Sequence, residues 1–476
     1  MSSTSLQITA DNLQQEAIRF CSDTDAYFGS SDENLHGMPR DRLAALQLAA
    51  LKYRFEDLKD RIPMLQQLAS RQNIASLETL EDVVPILFEH TMYKSYPPML
   101  LEKNRFADIN KFISRLTTYD LSTIDVSECQ SIDEWIEVMD RKSELEICHS
   151  SGTSGTMSFL PTSKKEWDKF TRGTRTTVRS RLADPDDNEF YCIYPYYRDG
   201  ASSHLRINNY CIKHILGDES RFYSAYPGWM SSDVLYLAAK VRAAKANGEL
   251  DRVNINPALM QRLREFEELQ QNMPAHLDTF FEHVMEELRG KRVYFGGTWN
   301  LLHKLAEQGL KMGEEAMFAP DSVIISGGGA KGVTPPENWQ EDVCRFFGIE
   351  RILMGYGMSE VQQMHYQCEQ GRYHFAPGAI PFLLDPDTSE PLPRSGTVTG
   401  RAAFFDLTAE TRWGGFITGD ELTINWETPC ACGRQSYFIE GEIERYSEKQ
   451  GGDDKISCAA TENAHKEAMD FLTHFE

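Results

Sequence analysis

One short segment rich in glycine and hydroxyl residues, Ser150 to Thr156, constrains this chain more than any other feature. It holds two glycines among five serine and threonine residues, and it follows the apolar stretch LEIC, which is typical of a β-strand. Glycine lets the backbone turn tightly and approach a ligand closely. Backbone amides and hydroxyl groups can then surround a phosphate. The segment lacks the Gly-Lys-Ser/Thr ending of a P-loop, and on these residues alone a flexible surface loop stays open as the alternative.

Other apolar segments along the chain also end in glycine or a turn. Four of them read as buried strands: Glu189–Tyr197, Lys291–Gly297, Ser322–Gly329 and Arg351–Gly357. The segments between them have apolar residues at helical spacing: Ser232–Ala246, Pro257–Gln271 and Pro274–Arg289. Short strands that alternate with helices predict an α/β fold with mostly parallel sheets. Ligands bind such sheets at the carboxyl ends of the strands, which is where these glycines stand.

Changes in composition and in hydrophobic periodicity divide the chain into four parts. A helical N-terminal region is predicted for 1–140, from stretches such as Arg42–Leu58, Lys103–Leu116 and the weaker Ala75–Phe88, which Pro85 would interrupt. An α/β core is predicted for 141–380, and a β-rich subdomain broken by Pro, Gly and Asp for 381–440. The remainder, 441–476, is predicted to be a short tail that turns helical from about Glu462.

Composition argues against several classes of function. The 476 residues are 41% hydrophobic and 25% charged, as in an ordinary globular protein. Acidic residues outnumber basic ones by 72 to 49, with no basic block, so nucleic-acid and anionic-membrane binding are not expected. No apolar run approaches the ~18 residues of a membrane span, and the N-terminus lacks the pattern of a signal peptide. The cytoplasm is therefore the expected location, and the ten cysteines are expected to be thiols, metal ligands or a catalytic thiol.

Three further motifs suit the other parts of a nucleotide. Three consecutive glycines in SGGGAK, from Ser326, fit either a tight turn or close approach of a ligand. In YGMSE, Tyr356 could stack on a flat ring and Glu360 could hold Mg²⁺ through oxygen. Ser359 could meet a phosphate, although a helix that starts with Ser359 as its N-cap is the alternative. In TGD, Asp420 could accept hydrogen bonds from ribose hydroxyls, or it could be an ordinary turn residue.

Taken in this order, the motifs SSGTSGT, SGGGAK, YGMSE and TGD resemble those of the adenylate-forming superfamily over roughly residues 145–456. The resemblance implies that the core binds a nucleotide and an acyl group. It implies phosphate contacts by Ser150, Ser151, Gly152, Thr153, Ser154, Gly155 and Thr156. It implies adenine and substrate contacts by Gly327, Gly328, Gly329 and Ala330, and by Tyr356, Gly357, Met358 and Ser359. Glu360 is implied as the Mg²⁺ ligand and Asp420 as the ribose ligand.

Within that superfamily the chain is most similar to phenylacetate-CoA ligases and to the acyl-protein synthetases of the LuxE type. CACGR, from Cys430 to Arg434, follows TGD by about ten residues, as in phenylacetate-CoA ligase. DPDTSEPLPRSGTVTG resembles a hairpin of the same branch, and the helical N-terminal region with YKSYP and LTTYDLS resembles the LuxE type.

The resemblance implies a reaction in two steps. A carboxylate attacks the α-phosphate of ATP to give acyl-AMP and pyrophosphate, and a thiol then displaces AMP. The first step needs stabilisation of charge, which the loop hydroxyls, that of Thr153 among them, and Mg²⁺ on Glu360 would supply. The expected acceptor is a protein thiol, on this chain or on a carrier or reductase partner, and free CoA is the alternative. An alternative of another class is a partner-dependent or non-catalytic nucleotide-binding subunit.

The chain departs from the family pattern in three places. Leu160-Pro161 stands near the position of the usual lysine that follows the phosphate loop. The hinge motif is split, because Glu442 follows Gly441 and the Asp pair appears only at 453–454. The sequence ends at Glu476, so the usual mobile C-terminal domain is expected to be missing or reduced to a stub. The adenylation lysine therefore has only two weak late candidates, Lys455 and Lys466.

Two groups of cysteines carry separate expectations. Cys458 lies in KISCAATENAH, a context similar to that of the acyl-accepting cysteine of LuxE-type synthetases, so the resemblance implies a covalent acyl role for it. Elsewhere, a C-x-C pair and an upstream cysteine and histidine could form a closed tetrahedral zinc site. Its ligands would be Cys368, His374, Cys430 and Cys432, with His365 nearby. Free thiols are the alternative for this group, and an ordinary structural cysteine is the alternative for Cys458.

Some aromatic and histidine residues could line an acyl pocket, although such residues are more often structural. They are His149, His204, Tyr194, Tyr196, Tyr197 and Trp299.

Overall fold

The computed structural model describes residues 12–150, 157–182, 189–246, 257–327 and 335–446. It divides the chain into two compact units. The first unit comprises Met1–Met92, Ser114–Asp120 and Tyr356–Glu476, and the second comprises Tyr93–Ile113 and Leu121–Gly355.

The helices of the first unit come from the N-terminal part of the chain. They are α1 (Leu13–Ser22), α2 (Thr24–Tyr27), α3 (Asp32–Gly37), α4 (Arg40–Leu58) and α5 (Pro63–Arg71), followed by a 3₁₀ helix at Glu81–Ile86. Helix α4 buries residues three and four apart, as an amphipathic helix does. Two buried polar side chains, Gln47 and Arg54, lie on this same face. Gln47 donates to the carbonyl oxygen of Pro377, and Arg54 donates to that of Leu407.

The sheet of the first unit is mainly antiparallel. Its strands are β1 (Phe88–Glu89), β10 (Tyr373–His374), β11 (Ala379–Leu384), β12 (Thr397–Asp406), β13 (Gly415–Asn425), β14 (Phe438–Ile439) and β15 (Glu444–Arg445). The central order is β10-β14-β13-β12-β11, with β1 parallel to β13 and β15 antiparallel to it. Strand β11 is buried along its whole length, so the sheet forms part of the core of this unit.

The second unit contains a parallel sheet in the order β5-β4-β6-β7-β8. These strands are β4 (Tyr191–Gly200), β5 (Phe222–Met230), β6 (Val293–Gly296), β7 (Val323–Gly327) and β8 (Leu353–Met358), of which the residues up to Gly355 belong to this unit, and Ile325 pairs with Leu353. A separate antiparallel ribbon is formed by β2 (Leu145–His149) and β3 (Phe159–Ser163). The α/β fold class predicted from the sequence is confirmed, with the predicted parallel sheet in this unit.

The helices of the second unit flank these strands. They are α6 (Met99–Glu102), α7 (Phe106–Ser114), α8 (Ile132–Lys142), α9 (Lys164–Arg179), α10 (Ser203–Cys211), α11 (Ser232–Ala246), α12 (Pro257–Leu288), α13 (Trp299–Lys311) and α14 (Trp339–Phe347). A core of aliphatic and aromatic side chains joins α12, α13 and α14 to the sheet, whose residues Val293, Phe295 and Ile324 are fully buried in it. Among the described residues, no helix is long and apolar enough to cross a membrane.

Local structure differs from the sequence prediction at three places. The stretch Ala75–Phe88 holds no α-helix: it contains the short 3₁₀ helix, in which Pro85 lacks the amide that an α-helix would need, and it ends at the first residue of β1. The two helices predicted between Pro257 and Arg289 are one continuous helix, α12. The motif YGMSE leads into a strand, β9 (Val361–Tyr366), and not into a helix. The predicted tail helix from Glu462 lies outside the described residues.

Candidate functional site

The glycine-rich segment begins where the ribbon of β2 and β3 opens. The amide of Ser150 donates to the carbonyl oxygen of Ser158 at 3.1 Å, and the amide of Ser158 donates to Oγ of Ser150 at 3.1 Å. These reciprocal bonds close the base of the loop between the two serines. Of the predicted phosphate-binding residues, Ser150 is therefore placed at the loop base, and residues 151–156 lie outside the described part of the chain.

His149, the last residue of β2, is fully used in hydrogen bonds. Its Nδ1 lies 3.0 Å from the carbonyl oxygen of Ser150, and its Nε2 lies 3.0 Å from Oγ of Ser232. A carbonyl oxygen only accepts, so Nδ1 carries the proton and Nε2 accepts from the Ser232 hydroxyl. Burial lowers the pKa of His149 to about 4, which keeps the ring neutral. In this arrangement His149 acts as a structural residue that supports the start of the loop.

Two aspartates that the sequence reading missed organise the neighbouring helix ends. The carboxylate of Asp233, in α11, accepts from the amides of Ile132 and Asp133 at the start of α8. The carboxylate of Asp133 in turn accepts from the amide of Ser232, the first residue of α11, at 2.8 Å. Each helix start is thus capped by a carboxylate of the other helix, in addition to the cap from its own preceding serine, Ser131 or Ser231. Because Ser232 also contacts His149, these caps hold the residue that supports the loop.

The carboxyl ends of the parallel strands carry the second glycine motif. Gly327, the last residue of β7, has to be a glycine, because a Cβ atom there would lie 2.5 Å from the carbonyl oxygen of Gly355 on β8. Ser326 is buried, and its hydroxyl has no hydrogen-bond partner among the described residues. The other predicted residues of this motif, Gly328, Gly329 and Ala330, lie outside the described part of the chain.

In the first unit, the structure brings the predicted adenine and ribose residues into direct contact. The hydroxyl of Tyr356 donates to Oδ2 of Asp420 at 2.9 Å, and Nε of Arg445 donates to Oδ1 at 3.2 Å. Burial, and then the charge of Asp420, raise the pKa of Tyr356 well above its usual value, so the hydroxyl stays a donor. Asp420 lies within β13 and not in a turn. Arg445, on the neighbouring β15, had no signal in the sequence.

Ser359 and Glu360 form the turn that joins β8 to β9. The alternative in which Ser359 caps a helix is wrong, because the chain reverses into a strand at this point. Arg412 supports the turn, since its Nη1 donates to the carbonyl oxygen of Glu360 at 2.6 Å. Arg412 is itself buried and paired with Asp406 at 3.7 Å. The turn holds Gly357, Met358 and Ser359 next to Tyr356, and the side chain of Glu360 is half-buried.

A separate cluster in the first unit brings together all four residues predicted to bind zinc. The Sγ atoms of Cys368, Cys430 and Cys432 and a ring nitrogen of His374 all lie within 4.8 Å of one another. The Sγ atoms of Cys368 and Cys430 are 3.8 Å apart, and Sγ of Cys432 is 3.3 Å from Nε2 of His374. Three of the four residues are buried. His365 lies outside this group, with its Nδ1 accepting from the amide of Ala376.

The aromatic residues predicted near the acyl group differ in their surroundings. Tyr194 donates to the carbonyl oxygen of His204 at 2.7 Å, and Tyr197 stacks on Tyr226. Tyr196, in the middle of β4, keeps 36% of its surface exposed. Trp299 packs against the core of the second unit. Tyr196 is therefore the best placed of these side chains to meet a ligand.

Comparisons with known proteins identify the fold. No protein family matches the sequence, and no curated protein matches it. The structure is similar to that of 2-hydroxyisobutyryl-CoA ligase, solved with 2-HIB-AMP and CoA, with a TM-score of 0.52 and 10% identity over 86% of this chain and 76% of that one. Two further structures are less similar to this chain. MatB from Rhodopseudomonas palustris has a TM-score of 0.34 at 15% identity, over 62% of this chain and 47% of MatB. The N-terminal subdomain of Klebsiella oxytoca NpsA has a TM-score of 0.30 at 9% identity, over 62% of this chain and 63% of the subdomain. The chain therefore has the α/β fold seen in 2-hydroxyisobutyryl-CoA ligase.

Proposed function

We propose that this chain is an adenylate-forming ligase of the phenylacetate-CoA ligase and LuxE-type branch. It activates a carboxylic acid with ATP and Mg²⁺ and transfers the acyl group to a thiol. The observation that carries the proposal is the hydrogen bond between Tyr356 and Asp420. The family resemblance assigns these residues to the adenine and the ribose of one nucleotide, and they meet although they are 64 residues apart.

The described residues suit the charges of the first step. The carboxylate oxygen of the acid bonds to the α-phosphorus while the bond to pyrophosphate breaks, so negative charge has to be stabilised throughout. Ser150 and Ser158 hold the base of the loop that would face the phosphates. The carboxylate of Glu360 offers the oxygen ligand that Mg²⁺ prefers. These roles, and those of residues 151–156 and 328–330, remain part of the proposal.

The second step transfers the acyl group. A thiolate attacks the acyl carbonyl carbon and AMP leaves with the former carboxylate oxygen on its phosphorus. We propose a protein thiol as acceptor, either Cys458, which lies outside the described residues, or the thiol of a carrier or reductase partner. Free CoA is the second candidate, because the similar 2-hydroxyisobutyryl-CoA ligase is named for that acceptor and was solved with it. The proposed setting is the cytoplasm.

Exchange of radiolabelled pyrophosphate into ATP tests the first step directly. The purified chain, incubated with Mg²⁺, ATP and a panel of aliphatic, branched and aromatic acids, should catalyse exchange with at least one acid. Asp420→Asn should lose most of this exchange at low ATP, while the control Asp387→Asn in an exposed turn should keep it. Exchange that appears only after a cell extract is added would support a partner-dependent subunit, and no exchange in either case would reject the proposal.

Intact mass after the same incubation identifies the acceptor. An acyl adduct that hydroxylamine removes would show transfer to a thiol of this chain. Release of AMP only when CoA is added would instead identify a CoA ligase.

A further inference from the structure

The cysteine–histidine cluster of the first unit has the dimensions of a closed metal site. We propose that Cys368, His374, Cys430 and Cys432 bind one structural Zn²⁺, and that this site fastens the segment from Asp32 to Arg40 to the β-rich part of its unit. In a tetrahedral site with Zn–S bonds of about 2.3 Å, neighbouring sulfurs lie about 3.8 Å apart. The Sγ atoms of Cys368 and Cys430 are separated by 3.8 Å. Three sulfurs and one imidazole complete the coordination and leave no position for a substrate.

The backbone is arranged to stabilise thiolates. The amide of Gln370 lies 3.4 Å from Sγ of Cys368, and the amide of Arg434 lies 3.5 Å from Sγ of Cys432. In both cases the amide two residues after the cysteine donates to its sulfur. A thiolate is the form that binds a metal, and donated hydrogen bonds favour it. Two separate turns provide these hydrogen bonds. The first of these turns contains Cys368, and the second contains Cys430 and Cys432. Cys368 and Cys430 are 62 residues apart in the sequence, and each turn thus donates the same kind of hydrogen bond to a sulfur.

The histidine ligand is also oriented for coordination. Oγ of Ser436 lies 3.0 Å from Nδ1 of His374 and 3.0 Å from Nδ1 of His36. One hydroxyl has one proton, so it can donate to only one of two imidazoles and must accept from the other. If Nδ1 of His374 donates to Ser436, and Ser436 donates to His36, then Nε2 of His374 keeps a free lone pair. That nitrogen faces Sγ of Cys432 at 3.3 Å, so the lone pair is directed into the cluster.

The positive charge of a nearby arginine is complementary to the negative charge of the proposed metal site. Three thiolates with Zn²⁺ carry a net charge of −1. The guanidinium of Arg434 lies in the same loop and also pairs with Asp32 at 3.1 Å and with Glu369 at 3.2 Å. Arginine provides several hydrogen-bond donors in a fixed geometry, so one guanidinium can bind both carboxylates while it remains beside the cysteines of the loop.

The same loop is where the N-terminal segment is attached. The amide of Gln435 donates to the carbonyl oxygen of His36 at 2.8 Å. The guanidinium of Arg40 donates to the carbonyl oxygens of Gln435, Trp426 and Thr428. With the Asp32–Arg434 pair, these contacts depend on the shape of residues 426–436, which include two of the proposed ligands. Loss of the metal would therefore release the segment.

Metal analysis of the full-length chain tests the proposal. Protein purified without chelator should contain one zinc per chain, and Cys432→Ser should reduce that content strongly. Cys344→Ser, which alters a half-buried cysteine elsewhere, should leave the zinc content unchanged. If Cys432→Ser fails to fold, Ser436→Ala provides the second test, because the ligands remain. Loss of such an outer partner weakens zinc binding about 10- to 100-fold, and competition with a chromogenic chelator measures this change.

Hydrogen exchange measures the attachment of the segment. Removal of zinc with a strong chelator should increase amide exchange in peptides that cover residues 32–40, while peptides from the parallel sheet of the second unit should change little. Re-addition of zinc should reverse the effect. If the purified protein is folded but contains no zinc, the proposed metal site is rejected. If removal of zinc causes no change in amide exchange at residues 32–40, the proposed attachment of this segment is rejected. Pyrophosphate exchange is measured in parallel on the same samples. It reports the proposed ligase activity, so a failure of that proposal can be distinguished from a failure of the proposed zinc site.

Discussion

The hydroxyl of Tyr356 donates a hydrogen bond of 2.9 Å to the carboxylate of Asp420. The other oxygen of that carboxylate accepts from Nε of Arg445 at 3.2 Å. An ionised carboxylate can accept about four hydrogen bonds, so Asp420 retains capacity for two ribose hydroxyls. In the proposed ligase, the tyrosine therefore has two tasks: its ring meets the adenine, and its hydroxyl orients the residue that binds the ribose.

Removal of that hydroxyl alone should weaken ATP binding moderately. In Tyr356→Phe the ring remains, while Asp420 loses one donor. A hydrogen bond to a charged group contributes about 1.5–3 kcal/mol, so we expect the KM for ATP in pyrophosphate exchange to rise about 10- to 100-fold, with a smaller change in kcat. Tyr373→Phe, at a half-buried tyrosine of the same unit, is the control. An unchanged KM in Tyr356→Phe would remove the proposed orienting role.

Substitution of the turn carboxylate should alter the requirement for magnesium. Glu360→Gln keeps the size and the backbone contact to Arg412 but removes the negative charge that would bind Mg²⁺. We expect exchange to need a higher concentration of Mg²⁺ and the maximal rate to fall at least tenfold. Titration with Mg²⁺ at saturating ATP measures both effects. Glu390→Gln, in an exposed hairpin turn, should behave as the unaltered protein. A coincident Mg²⁺ titration for Glu360→Gln would exclude Glu360 as a ligand.

The proposed acyl acceptor can be separated from the adenylation chemistry. Cys458→Ser should leave pyrophosphate exchange unchanged, because the first step needs no thiol, and should abolish the hydroxylamine-sensitive adduct in intact mass. Cys129→Ser, at a buried cysteine, is expected to keep the adduct. Persistence of the thioester in Cys458→Ser would assign the acyl group to another cysteine.

The buried His149 should make the fold sensitive to acid. Burial lowers its pKa from 6.5 to about 4 in the folded state, so the unfolded chain takes up the proton first as the pH falls. The contribution of the neutral ring to the free energy of unfolding is therefore fully present above pH 6.5, and it is lost as the pH falls from 6.5 to 4. At full burial such a shift corresponds to about 3 kcal/mol in the free energy of unfolding.

Urea denaturation between pH 4 and 7.5 measures this effect. His149→Gln should be less stable than the unaltered chain at pH 7.5, and the difference should shrink towards pH 4. His283→Gln, at an exposed histidine, should follow the unaltered chain throughout. A constant difference between His149→Gln and the unaltered chain would contradict the assigned protonation.

Much of the fold follows from local patterns in the sequence. Apolar stretches that end in glycine predicted the parallel strands, because a buried strand and its turn are both encoded by neighbouring residues. The spacing of Cys430 and Cys432, with Cys368 and His374 upstream, predicted a four-residue cluster that the structure assembles. Helix α12 was predicted incorrectly as two helices, and the alternative in which a helix starts at Ser359 was wrong, since both depend on what the segment packs against and not on its own periodicity.

The sequence by itself determined which chemical groups this protein carries and which of them stand at strand ends. Only the tertiary structure decided which groups meet. The bond between Tyr356 and Asp420, the caps that Asp133 and Asp233 exchange, and the bridge from His374 through Ser436 to His36 all join residues far apart in the chain. Such contacts form because strand pairing and side-chain packing bring distant segments together, and no local pattern of residues encodes that distance.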